Sequence, residues 1–237
     1  MLSSETSSRR RRAALAHACV ACQRPWAVRA VRNATGVYLL VCRYCSWQEA
    51  RPAVAPTCPA LSPATPRRPA DHSVLFYDDE DELLQRLVTL VTDVVAANET
   101  CLLIATPEHR AALRQRVGTR TLLVARRQGA LVELDAAATL RLLMRDGHPD
   151  PALFDQTIGA LVRDQAAEGR PVRAYGEMVA LLWATGADVA ALELEAIWNA
   201  LQRRVSLSLL CAYPSADVDL DAAGRTRICE QHTALAA

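Results

Sequence analysis

The sequence predicts an α/β protein: a largely parallel sheet with helices on both faces, preceded by a small metal-held module. Three observations predict it. From His72 onward, short apolar runs alternate with longer stretches of helical period, the pattern of βαβ units. Six prolines within residues 51–70 set this body apart from what precedes it. Ahead of them, Cys19 and Cys22, then Cys42 and Cys45, form two CxxC pairs with nineteen residues between the pairs. That spacing brings four thiolates onto one tetrahedral Zn²⁺.

Residues 1–14 are rich in Ser and Arg and read as a disordered tail. Residues 15–50 form the zinc ribbon, with Val37–Val41 as a strand after a turn at Gly36. Four sulfur ligands close the site, so its role is structural. A module this small cannot bury enough apolar surface alone, and the metal supplies the missing free energy. Residues 51–70 form a linker of polyproline character, reaching at most about 60 Å at ~3.1 Å per residue. Residues 71–235 form the body, long enough for a covered sheet. Its strands are expected at Ser73–Tyr77, Thr100–Thr106, Thr121–Ala125, Leu131–Asp135, Val172–Glu177 and Ser206–Tyr213. Helical stripes run through Leu84, Leu87, Val91 and Val94, through Phe154, Ile158 and Val162, and through Leu194, Trp198 and Leu201.

Net charge is +1, but residues 1–70 carry eleven Arg against two acids, a net +9. The remainder carries sixteen Arg against twenty-four acids, a net −8. A basic head on an acidic body suggests two different partners, or a head that docks on its own body. The chain has no lysine, which excludes P-loop, Schiff-base and kinase-type lysine chemistry. Paired cysteines in a chain of this length favour metal over disulfides, and so a reducing cytoplasm. Arg9–Arg12 only faintly mimic a twin-arginine signal, because the apolar stretch after them is short and broken by His17. No run approaches the length needed to span a bilayer, so no membrane role is expected.

Strands covered on both faces are apolar throughout, yet Arg173, Tyr175 and Glu177 alternate along one strand and share a face. Gly176 is expected to let the chain turn sharply into the next helix. Other strands end in functional groups too: Tyr77, Asp135, Cys211 and Tyr213. In a parallel sheet these ends share one rim, where open α/β sheets bind ligands. Plainer roles stay open. Glu177 can pair with Arg173 or cap its helix, Cys211 can be core, and Asp78–Glu82 reads as an acidic helix start. Cys229 and His232 look like half a metal site without a partner pair nearby, so a helix facing the body is the simpler reading.

His72–Tyr77, GEMVALLW (Gly176–Trp183), LELEAIWNAL (Leu192–Leu201), LLCAYP (Leu209–Pro214) and ICEQH (Ile228–His232) resemble, in order, segments of the MEDS domain. This methanogen and methylotroph sensory domain takes part of its name from a dichloromethane-responsive regulator. The resemblance covers about residues 71–235. It implies a fold related to RecA- and KaiC-like ATPases and a role in sensing small molecules, hydrocarbon derivatives among them, within bacterial regulatory proteins. The positions matching the family's characteristic residues are His72, Tyr77, Arg173, Gly176, Glu177, Glu195, Asn199, Cys211 and Tyr213. Taken with the strand-end groups, the candidate ligand-binding set is His72, Tyr77, Asp135, Arg173, Tyr175, Glu177, Cys211 and Tyr213.

Catalysis is not expected. The strand exit Ile104–His109 has neither the glycines nor the lysine of a phosphate loop, and Pro107 and Glu108 stand in their place. No serine lies in a GxSxG elbow. The head interleaves aromatics with arginines (Trp26, Arg29, Arg32, Tyr38, Arg43, Tyr44, Trp47), which suits nucleic acid. Protein docking and a purely structural role stay open for it. The sequence thus points to a non-catalytic bacterial regulatory protein. Its body would bind a small-molecule effector or a regulatory protein, and its zinc head would carry the output.

Overall fold

The computed structural model describes residues 21–22, 28–32, 37–42, 45, 48–52, 61–63, 71–218 and 222–236. The Arg-rich tail, Cys19 and the side chains of the head's aromatics lie outside the described residues. In the head, β1 (Val28–Arg32), β2 (Val37–Cys42) and β3 (Gln48–Pro52) form an antiparallel sheet in the order β1-β2-β3. The strand expected at Val37–Val41 is its middle member. The proline-rich stretch is not spacer throughout. It supplies β4 (Ser62–Pro63) to the edge of the main sheet, and Leu61 packs against the body's core.

The body is built on β5 (His72–Tyr77), β6 (Thr100–Ala105) and β7 (Leu131–Asp135), then a small antiparallel ribbon, β8 (Met144–Arg145) with β9 (His148–Pro149). Three strands follow: β10 (Val172–Gly176), β11 (Leu207–Pro214) and β12 (Ala234–Leu235). The main sheet runs β4-β12-β5-β11-β10-β6-β7, and each of its pairings is parallel. Every residue of β6 is buried, as a strand covered on both faces requires.

The helix Glu80–Ala96 begins at Asp79, whose side chain accepts from the Asp81 N–H, and three acids fill its first turn against the helix dipole. It buries Leu83, Leu87, Val91 and Val94 against one sheet face, joined by Leu113 of helix Pro107–Val117 and Leu122 of helix Thr119–Arg127. The other face is covered by helices Met178–Ala184 and Asp188–Gln202 and by the segment carrying Phe154, Ile158 and Val162. That segment includes a π-helical turn, Asp155–Gly159. There Phe154 meets Trp198 edge-on at 4.9 Å between centroids.

Two expectations are corrected. Thr121–Ala125 is helix, not strand. Its apolar run is too short to fix a period, and Leu122 and Ala125, three apart, are buried while Leu123 and Val124 are exposed. Gly176 is not a steric turn: its φ is not positive, and a Cβ there would meet nothing within 4 Å. Gly176→Ala is accordingly expected to change stability by no more than about 1 kcal/mol in urea denaturation. A larger loss would restore the turn requirement.

The connections fix where a ligand crevice belongs. The chain leaves β6 into helices on one face and leaves β10 into helices on the other. Neighbouring strands whose connections diverge create a switch point at their carboxyl ends. Here it lies between Ala105–Thr106 and Gly176–Glu177.

Candidate functional site

Glu177 fills the switch point. It is 4% exposed, and its backbone N–H donates to Ile104 O at 3.0 Å. Its Oε2 accepts from the Thr106 N–H at 2.6 Å. Its Oε1 accepts from the Tyr175 hydroxyl at 2.7 Å and faces His109 Nδ1 at 2.5 Å. His109 Nε2 in turn faces Glu80 Oε2 at 2.5 Å. A ring with a carboxylate at each nitrogen is held as imidazolium. Burial opposes the charge, but Glu177 and Glu80 outweigh it and push the His109 pKa up to about 10. Burial, then Glu80 and Glu177, raise the Tyr77 hydroxyl, and burial with Glu177 raises that of Tyr175. Both phenols therefore stay neutral, and that of Tyr175 donates to Glu177.

The eight candidate residues do not share one rim. Tyr77, Tyr175 and Glu177 belong to the face covered by helix Glu80–Ala96. Arg173 has the same alternation but lies at the amino end of β10, where its Nε pairs with Glu99 Oε2 at 2.6 Å and not with Glu177. Asp135 is at the exit of β7, but it caps the following helix through the Ala138 N–H and pairs with Arg110 at 2.8 Å. His72, Cys211 and Tyr213 point to the opposite face, because β11 pairs Cys211 with Gly176 and Leu210 with Tyr175. Side-chain alternation, not strand order, makes the division.

On that opposite face the three meet Glu195 and His232. His72 Nε2 lies 3.1 Å from Glu195 Oε2 and 3.4 Å from Cys211 Sγ. Cys211 Sγ lies 3.3 Å from Glu195 Oε2, and the Tyr213 hydroxyl donates to Glu195 Oε1 at 2.6 Å. His232 Nε2 lies 3.4 Å from Glu195 Oε1. Burial works against the Glu195 charge, but His232 and His72 outweigh it and hold the carboxyl well below the usual range. Burial and the adjacent carboxylate raise Cys211 and Tyr213.

In the head, Cys22 Sγ is 3.6 Å from Cys42 Sγ, and the sulfurs of Cys22, Cys42 and Cys45 lie within 4.8 Å of one another. The structure thus gathers three of the four expected ligands. Cys19 lies outside the described residues. Among the described residues no helix is long and apolar enough to cross a membrane.

Sequence reasoning did not choose His109 or Glu80 for the site. Position offered the one available signal, since His109 follows the cap Thr106 by three residues at a strand exit and its N–H donates to the Thr106 hydroxyl.

A buried carboxylate network thus fills the switch point of this α/β sheet, the place where open α/β sheets bind ligands. The chain belongs to the MEDS family: residues 71–232 match the MEthanogen/methylotroph, DcmR Sensory domain. All five segments singled out in the sequence fall within that match. Comparison with curated proteins and with solved structures finds no match to the chain.

Proposed function

We propose that this chain is a regulatory protein whose MEDS domain binds a small polar effector at the switch point, with output through a zinc-ribbon head and without catalysis. The observation that carries the reading is Glu177, a buried carboxylate at a sensory domain's strand ends, joined to Tyr175, His109 and Thr106. An effector with a hydrogen-bond donor or cationic group would compete with His109 for Glu177 and release the link to Glu80. Such an effector shifts the domain only by binding its two states unequally.

The reading disfavours nucleotide turnover. The backbone donor at the β6 exit, where an anion would dock, is taken by the protein's own Glu177. Purified protein is expected to show no nucleotide hydrolysis above background, and hydrolysis would refute the non-catalytic reading.

The effector site is tested by thermal shift with a panel of small alcohols, amines, organic acids and halogenated hydrocarbons. Compounds that stabilise the chain are expected to bind Glu177→Gln at least about tenfold more weakly. A folded variant that binds them equally well removes Glu177 from the site.

The zinc reading of the head rests on its three gathered thiols and on the CxxC spacing. Cys42→Ser with Cys45→Ser is expected to remove one equivalent of zinc from the chain, measured by elemental analysis. The head's +9 charge favours nucleic acid as its target. Salt-sensitive binding of the full chain to DNA or RNA supports that target. Capture of one defined protein with no nucleic-acid binding at low salt supports docking instead.

A further inference from the structure

We infer that His72, Glu195, Cys211 and His232 form a second metal site, buried in the MEDS domain on the sheet face opposite Glu177 and suited to Zn²⁺. The inference does not depend on what binds at the switch point.

The donors converge. One atom from each residue lies within 4.8 Å of the others. Donors about 2.0–2.3 Å from one tetrahedral ion stand roughly 3.3–3.8 Å apart. The separations here are 3.1 Å (His72 to Glu195), 3.3 Å (Cys211 to Glu195), 3.4 Å (His72 to Cys211) and 3.4 Å (His232 to Glu195). A small inward or outward adjustment fits an ion.

The outer hydrogen bonds fix which nitrogen each ring offers. His232 Nδ1 is 2.7 Å from Ile228 O, and a carbonyl only accepts, so Nδ1 carries the proton. His72 Nδ1 is 2.9 Å from Asn199 Oδ1, while Asn199 Nδ2 donates to Gln231 O. His72 Nδ1 therefore donates as well. With the metal bound, each ring is neutral, keeps its proton on Nδ1 and offers the lone pair of Nε2 inward. Metal-binding histidines are held in this way, with the far nitrogen donating to a carbonyl or amide oxygen. The Tyr213 hydroxyl anchors the carboxylate similarly.

One polar atom in the cluster lacks a hydrogen bond, its near partner being Glu195 Oε1 at 3.4 Å. His232 Nε2 is buried, its side chain is fully inaccessible, and it has no hydrogen-bond partner. Such an atom is costly unless something occupies its lone pair. A divalent ion does so and balances the charge: one thiolate, one carboxylate and two neutral imidazoles sum with it to zero. Binding forms four metal–donor bonds and releases to solvent the Cys211 proton and any Nε2 proton shared with Glu195. Sulfur and imidazole donors exclude Ca²⁺ and Mg²⁺ and favour Zn²⁺. Four protein ligands leave no open position, so the ion staples rather than catalyses. It would join β5, β11, helix Asp188–Gln202 and the segment that enters β12, where the Thr233 N–H donates to His72 O at 2.8 Å.

The test uses the full chain carrying Cys42→Ser and Cys45→Ser, which disables the head site. After dialysis this protein is expected to retain one equivalent of zinc. Replacement by Co²⁺ should give a thiolate-to-cobalt charge-transfer band. Adding Cys211→Ser should abolish the band and the bound metal with far-ultraviolet circular dichroism unchanged. Should that variant misfold, His232→Gln gives a second reading, with metal affinity at least about tenfold weaker. The inference is overturned if the folded Cys42→Ser/Cys45→Ser chain keeps no metal and shows no such band. It is equally overturned if the added substitution leaves metal binding intact.

Discussion

Replacing Glu195 by Ala is expected to lower the unfolding free energy by about 3–5 kcal/mol, the range for breaking a buried charged network by removing one partner. Glu195 is fully buried and faces the Tyr213 hydroxyl, the Cys211 thiol and both His72 and His232. Alanine leaves all four polar groups facing one another in a space closed to water. The loss combines a cavity with several unsatisfied groups, and each buried orphan costs about 1–3 kcal/mol. Glu195→Gln keeps the shape and one acceptor, so its loss is expected to be clearly smaller. Urea denaturation followed by tryptophan fluorescence reads both, since Trp198 lies buried one turn along the same helix. A Glu195→Ala protein within about 1 kcal/mol of the parent would show that the cluster is not a coupled network.

The second large effect is on pH dependence. His109 has its pKa raised in the folded chain to about 10, against an ordinary value of 6.5. A raised histidine pKa means that the native state holds the proton more tightly than the unfolded chain does. Its contribution is therefore complete below about pH 6.5, declines as pH rises, and is gone above about pH 10. The magnitude is on the order of 2–4 kcal/mol, held down because Glu80, one of the two partners, is 65% exposed to screening solvent. Stability is accordingly expected to fall between about pH 6.5 and 8.5, a window below the titration of unfolded Cys and Tyr. His109→Gln should flatten that slope. Equal slopes in the two proteins would show that His109 is not held as imidazolium.

The fold was legible where strands are long and apolar. β5, β6, β7, β10 and β11 each lie within a residue or two of their expected bounds, because covered strands read as continuous apolar runs. β4 and β12 were not legible, since two residues carry no period. Thr121–Ala125 failed for a related reason: its apolar run suits either period, and burial of Leu122 and Ala125 decides for helix. Within the site, the alternation of Tyr175 and Glu177 was visible locally. Their partner His109 was not, because contact across 68 residues follows from sheet order and register. The separation of Cys211 from Glu177 was missed likewise. Both are near strand ends, but opposite pleats carry them to opposite faces.

The central claim is that an effector enters at Glu177. The most direct measurement follows the ring nitrogen resonances of His109 in the full chain, assigned through His109→Gln, during titration with a compound that stabilises the protein. The account predicts that these resonances shift in step with occupancy, as the effector takes Glu177 from the imidazolium. Saturable binding that leaves the His109 resonances unmoved would contradict it.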